Sequence, residues 1–270
     1  MSAAGKNKIC LTIAGLDPSG GAGVVADIKT FSAFGCYATA AITSLTFQNT
    51  QGVFGAEHSS TETVRRQIMP VFEDFDVDAV KTGMLPNADI ILTVAQLMTV
   101  NNVPNLVVDP VVRSTSGYDM IDDPALRSLI AELFPIATIV TPNIPEAERI
   151  TKMEIRGVDE VIKAAQTIRD LGARNVLIKG GHFLDSDEST DYLFVGDELT
   201  VLEAERIQTT STHGTGCTLS AAIAANLALG TSLTDAVRTA KRFVTEAIRT
   251  ASNIGHGHSP INQLIKIEAE

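Results

Sequence analysis

The feature that most constrains this chain is an alternation of two kinds of segment. Short β-branched or apolar runs, "KICLTIAG" (8–15), "DAVKTG" (78–83), "NLVVDPVV" (105–112), "ATIVTPN" (137–143) and "RNVLIKGG" (174–181), mostly lead into Gly, Pro, Asp or Asn. Between them lie longer windows of helical pattern at 23–35, 60–75, 88–100 and 158–172. Strands this apolar need cover on both faces, and a helix after each supplies it, so the pattern predicts βαβ units around a mostly parallel, buried sheet. "YATAAITSLTFQN" (37–49) reads as a further strand with a polar tip, and 190–207 as a hairpin through "GDE". The last third reads as helices at 216–229 and 232–252, the second capped by Ser232 with Asp235 three residues on. No repeat or linker interrupts the pattern, and 1–270 reads as one doubly wound α/β domain.

Composition narrows the function classes. The chain has 270 residues, 44% of them hydrophobic, and no Trp, which predicts a large aliphatic core. A formal net charge of −11 argues against a nucleic-acid or anionic-membrane partner, but leaves room for an anionic small ligand at a local positive site. Cys10, Cys36 and Cys217 are odd in number and form no C-x-x-C pair, which disfavours a disulfide scaffold or zinc site and fits a reducing compartment. The apolar run after "MSAAGKNK" is too short for a signal sequence or membrane span, so a soluble, cytoplasmic protein is expected.

The polar clusters fall at the carboxyl ends of the predicted strands, where sheets of this kind bind ligands. "AGLDPSGGAG" lacks both the G-x-G-x-x-G order and the G-K-[ST] of a phosphate loop, and by itself reads as an ordinary strand-to-helix turn. Its Asp17 could orient a substrate hydroxyl or amine. Gln48 and Asn49 either satisfy loop backbone or read a heteroaromatic ring with an amide's paired donor and acceptor. Asp109, at the tip of an apolar strand, calls for a metal, a lysine or a polarised water, and Arg113 adds a cation nearby. Asn143, Pro145 and Glu146 form a helix start, and the amide and carboxylate could also hold waters around magnesium. Lys179, at a strand end before two glycines, suits a phosphate.

In "STHGTGCTLSAAIAANLALG" (211–230), Gly214, Thr215, Gly216 and Cys217 open a helix. Free N–H groups and the positive dipole end make an anion site there, and the same field is expected to lower the Cys217 pKa. Cys10 and Cys36 sit in apolar strand contexts and read as packing residues. "GHGHSP" (255–260) reads as a C-terminal loop, not a metal site.

In their order along nearly the whole chain, "IAGLDPSGGAGVVADIKTFSAFG", "QNTQGV", "AVKTGML", "VVDPVV…TSG", "TPNIPEAE", "LIKGGH" and "THGTGCTLSAAIAANLALG" resemble the hydroxymethylpyrimidine/phosphomethylpyrimidine kinases of the ribokinase-like superfamily. The resemblance implies a central, mostly parallel β-sheet flanked by helices on both faces, usually in a homodimer. It implies MgATP-dependent phosphorylation of 4-amino-5-hydroxymethyl-2-methylpyrimidine and of its monophosphate, in thiamine biosynthesis. By the same resemblance, Gly214 to Cys217 form the anion hole, with Cys217 where many relatives have an aspartate base. Asn143 and Glu146 organise magnesium and phosphate, Lys179 faces phosphate, and Asp109 lies near the metal with Glu146. Gly15, Asp17, Gln48 and Met84 belong to the substrate pocket, and Thr212 and Thr215 to the nucleotide-side loop. Arg113 departs from the family pattern, as does the bulk of Phe47, which is expected to narrow the pocket. Arg113 either assists the phosphorylated substrate or faces solvent. Segment 113–123 is the expected lid, and a pyridoxal kinase is the nearest rival activity.

Overall fold

The computed structural model describes residues 7–112, 120–181 and 188–265. Its strands are β1 (Ile9–Leu16), β2 (Tyr37–Asn49), β3 (Gly52–His58), β4 (Ala79–Thr82), β5 (Leu106–Val108), β6 (Ile139–Val140), β7 (Asn175–Lys179), β8 (Glu188–Val195) and β9 (Glu198–Glu205). They form one sheet in the order β3-β2-β1-β4-β5-β6-β7-β8-β9. Strands β2, β1, β4, β5, β6 and β7 pair in parallel, while β3 and the β8–β9 hairpin add antiparallel edges. From β1 the chain first steps to β2 on one side and later returns to β4 on the other. That reversal opens a crevice at the carboxyl ends of β1 and β4.

The helices are α1 (Gly23–Ala33), α2 (Thr61–Asp74), α3 (Ala88–Val100), α4 (Asp123–Ser128), α5 (Ile144–Thr151), α6 (Val158–Asp170), α7 (Thr215–Ala228) and α8 (Leu233–Arg249). Because strand side chains alternate, each parallel strand feeds two cores. Ile9, Leu11, Ile13, Leu106, Val108, Val176 and Ile178 pack with α2 to α6. Cys10, Val107 and Leu177 pack on the opposite face with α1, α7 and α8. Each fully buried Leu, Ile or Val stabilises the fold by roughly 1.5–3 kcal/mol. Cys10 and Cys36 are buried packing residues, as their contexts predict.

The differences from the sequence reading have local causes. Strands β5 and β6 are shorter than 105–112 and 137–143 suggest, because Pro110 and Pro142 follow them and withhold the N–H that would extend each ladder. Strand β3 escapes a sequence reading because Gly52 and Gly55 interrupt its β-type pattern. Helix α4 starts where Asp122 accepts from Ala125 N at 2.8 Å, with Pro124 in the first turn. The Ser232 cap stands as expected, accepting from Asp235 N.

Helix α7 is buried at every position from Thr218 to Ala228. Its small side chains let it lie between α1, α8 and the sheet. Replacing Ala222 by Leu is therefore expected to overpack this layer and cost about 1–3 kcal/mol, read as a lower urea midpoint at unchanged slope. An unchanged midpoint would show that the layer has slack.

Candidate active site

The carboxyl ends of β1, β4, β5 and β7 and the N-terminus of α7 surround a cavity of about 970 Å³. Its lining includes Gly15, Asp17, Gln48, Met84, Asp109, Asn143, Glu146, Lys179, Thr212, Gly214, Thr215, Gly216 and Cys217, whereas Asn49 lies outside it and accepts from Gln51 N at 2.8 Å. Arg113 and positions 114–119 of the expected lid lie outside the described residues. The remainder of that segment runs into α4, where Arg149 holds Ile121 O at 3.1 Å and Asp123 at 3.2 Å.

One end of the cavity is built for an anion. Gly214 adopts φ 82°, and a side chain there would also collide with the Gly21 carbonyl, so glycine is required. No side chain caps α7; Thr215 N bonds Thr212 O at 3.3 Å, and Gly216 and Cys217 of the first turn line the cavity. A Cβ on Gly216 would stand 3.3 Å from Lys179 Nζ, which places the ammonium against the helix end. The Thr215 hydroxyl is occupied by Thr212 O at 2.7 Å. Lys179 Nζ bonds Asp109 Oδ1 at 3.0 Å and lies 3.9 Å from Glu146 Oε2. Burial disfavours the charge on Lys179, but Asp109 and Glu146 outweigh it and raise its pKa.

Asn143 and Glu146 take both of the roles open to them. They form a capping box on α5: Glu146 N donates to Asn143 Oδ1 at 2.9 Å, and Asn143 N to Glu146 Oε2 at 2.8 Å. Val112 N reaches Glu146 Oε1 at 3.3 Å. Burial, then Asp109, push the Glu146 carboxyl up to about 7, against the pull of Lys179. As a magnesium site the donor set is sparse. No group of three or more His, Cys, Asp or Glu able to hold a metal occurs among the described residues. Two carboxylates beside an anion cradle suit magnesium, which keeps several waters and binds through one or two carboxylates and substrate phosphates.

Cys217 departs from expectation. It sits at the helix start and receives the Gly23 N–H, yet its thiol is pushed up to about 11 rather than lowered. Burial is the main cause, with the charges of Asp27 and Asp109 adding to it and Lys81 opposing. His213 is no partner for it, because His213 Nε2 bonds Asp17 Oδ2 at 2.8 Å.

Asp17 departs too. Its Oδ1 accepts from Ser19 N and Oγ, each at 2.7 Å, and its Oδ2 from Gly21 N at 3.1 Å and Ala22 N at 2.8 Å, besides His213. The carboxylate is occupied in fixing the glycine loop against the segment before α7, which leaves little capacity for a substrate hydroxyl or amine. Burial opposes its ionisation, but hydrogen bonds from His213, Ser19 and Gln48 hold it well below the usual carboxylate range. Gln48 and the buried Met84 line the same end of the cavity. Phe47 is half-exposed and absent from the cavity lining, so it does not narrow the pocket; alternation along β2 turns it away from Gln48.

Two buried ion pairs at the cavity were not identified from the sequence. Lys81 bonds Asp27 at 2.8 Å, both side chains fully buried. Lys241 bonds Asp191 Oδ2 at 2.7 Å, and Asp191 Oδ1 receives Gly180 N at 3.0 Å, which steadies the backbone next to Lys179. A charged residue inside an otherwise apolar strand was the available signal, in "AVKT" and in "TDYLFV".

Residues 17–262 match the family model described as phosphomethylpyrimidine kinase. A hydroxymethylpyrimidine/phosphomethylpyrimidine kinase of Staphylococcus aureus is 42% identical over 267 residues, 98% of this chain and 96% of that protein. The thiamine biosynthesis bifunctional protein ThiED of Geobacter sulfurreducens is 46% identical over 96% of this chain, which spans only 52% of that protein's length. Among solved structures, an ADP complex of Bacillus subtilis pyridoxal kinase superposes with TM-score 0.88 at 37% identity, covering 96% of this chain and 98% of that one.

The position of Glu146 has a consequence for stability. Between its ordinary 4.5 and its folded value of about 7, the folded protein keeps a proton that the unfolded chain releases. Stability contributed by this group is therefore lost as pH rises through that window. Glu146→Gln is expected to flatten the fall of Tm between about pH 5 and 8, and parallel Tm curves for variant and wild type would show that Glu146 does not titrate there.

Proposed function

The chain belongs to the phosphomethylpyrimidine kinase family, and from that membership we propose that it transfers the γ-phosphoryl group of ATP to 4-amino-5-hydroxymethyl-2-methylpyrimidine and then to its monophosphate, in thiamine biosynthesis. The observation behind this reading is the Lys179 ammonium against the N-terminus of α7, in a cavity that Gln48 and Met84 also line. A loose phosphoryl-transfer transition state asks chiefly for positioning and charge neutralisation, and Lys179 with the Gly214–Cys217 turn supplies both. Gln48 presents an amide to the aminopyrimidine edge. Asp109 and Glu146 would hold magnesium through water and phosphate, and the ion when bound neutralises phosphate charge. The Cys217 sulfur takes the hydroxyl proton, drawing on a thiolate fraction that grows with pH because the thiol lies near 11.

A single catalytic domain over 1–270, a cytoplasmic setting and a homodimer complete the reading. The exposed Phe47 and Phe54 beside the β3 edge favour the last of these. A pyridoxal kinase is the second reading, favoured by the close superposition on an enzyme of that name.

Purified protein with MgATP should phosphorylate the pyrimidine alcohol and its monophosphate, offered separately beside pyridoxal. Turnover of pyridoxal alone would overturn the main reading. Cys217→Ala is expected to lower kcat on the order of 10²-fold with little change in KM, and to abolish the rise of kcat with pH. A variant with near-normal turnover would remove Cys217 from the mechanism.

A further inference from the structure

Lys81, like Lys241, is a buried charge at the cavity that the mechanism so far does not use. It stands in the third position of β4, paired in register with Thr12 of β1 on one side and Val107 of β5 on the other. Val107 packs into the core beneath α1, α7 and α8, so alternation turns Lys81 and Thr12 toward the same helices. There Asp27 of α1 meets them: Lys81 Nζ lies 2.8 and 3.0 Å from its two oxygens, and Thr12 Oγ1 donates to Oδ2 at 2.5 Å. Neither charged side chain is exposed, yet Lys81 lines the cavity with Cys217. A buried ion pair is a poor way to stabilise a fold, since a neutral pair of similar volume commonly does as well. Asp27 lies one turn along α1 from Gly23, whose N–H donates to the Cys217 sulfur, and that placement gives the pair another use.

We propose that Lys81, held by Asp27 and Thr12, is a positioning residue for phosphoryl transfer: its ammonium supplies the countercharge that lets the Cys217 sulfur take the acceptor's proton. This inference rests on the kinase reading and deepens it. In the step, the hydroxymethyl oxygen forms its bond to the γ-phosphorus as the bond to ADP's β-phosphate oxygen breaks, and the electron pair of that bond leaves with ADP. The hydroxyl proton passes to the Cys217 thiolate, while Lys81 stays protonated throughout. The charges that act on the sulfur are those of Lys81 from β4, Asp27 from α1, Asp109 after β5 and Lys179 at the end of β7, with the Gly23 N–H donating to it. Among these charges Lys81 acts most strongly on Cys217, and it lowers the thiol's pKa. Burial opposes the charge on Lys81, but Asp27, Cys217 and Asp109 outweigh burial and keep it protonated.

The test compares wild type with Lys81→Met, Asp27→Asn and the double variant, reading Tm, kcat, KM and the pH profile with MgATP and the pyrimidine alcohol. Lys81→Met alone is expected to lose stability, because it leaves Asp27 buried without its partner. The double variant is expected to regain a Tm near wild type, while its kcat at about pH 8 stays down about tenfold or more, KM holds, and the rise of kcat moves to higher pH. A double variant with restored stability and wild-type kcat would reduce the pair to a structural role and overturn the proposal.

Should the Lys81 variants fail to fold, Asp27→Asn decides through the pH dependence of iodoacetamide labelling at the Cys217 peptide, followed by mass spectrometry. Removing Asp27's charge is expected to shift the labelling midpoint down by about one pH unit. A midpoint unchanged or raised would overturn the proposal. Labelling needs no acceptor, so it stands apart from the kinase reading, which falls if wild type phosphorylates no acceptor.

Discussion

A parallel sheet cannot leave either of its faces in water, and most of this molecule follows from that constraint. Each of the parallel strands must bury residues on both sides, so the connections from one parallel strand to the next carry helices across the faces. The strands therefore all point the same way, and their carboxyl ends gather along one edge of the layer. Six parallel strands deliver their loops to that edge, and the reversal between β1 and β4 parts those loops into a crevice. The chemistry of the site is a consequence of where a buried strand has to stop.

The stops themselves use very little. Pro110 and Pro142 end two strands by withholding an N–H, which leaves Asp109 and Asn143 within a few residues of a strand end. Asp17 gathers the glycine loop and His213 around one carboxylate, so the turn after β1 and the turn before α7 are fixed to each other. The Gly21 carbonyl occupies the space that a side chain on Gly214 would need. The N-terminus of α7 is held in place by backbone contact with the glycine loop.

The layer order and the positions of the site residues were legible in the sequence because both are periodic or local signals. Apolar runs with two-residue alternation, longer helical windows and proline or glycine at strand ends survive without tertiary information. Gln48, Asp109 and Lys179 reach one cavity as their places at strand ends indicated, Glu146 and Cys217 reach it from helix starts, and Gly15 and Met84, indicated only by the family resemblance, line it too. Their charge states were not legible. The upward shifts at Cys217 and Glu146 come mainly from burial, which depends on what packs above them from remote parts of the chain. The same limit hid Lys81, whose partner Asp27 is 54 residues away. Asp17 looked available for a ligand because its partners, three backbone N–H groups with Ser19 Oγ and the distant His213, leave no signature in residue type nearby. Strand β3 was lost to its glycines and is specified by pairing with β2, not by its own propensity.

The two ends of the cavity draw on different halves of the sheet. Gln48, Gly15 and Met84 come from β2, β1 and the turn after β4, on one side of the crevice. Asp109, Glu146 and Lys179 come from β5, the start of α5 and β7, on the other. On the proposed reading, substitutions on the Gln48 side need not touch Asp109, Glu146 or Lys179, since the two sets share no strand. If the proposed roles hold, a lineage built on this plan can exchange one ring-bearing alcohol for another while the half carrying Asp109, Glu146 and Lys179 is inherited whole.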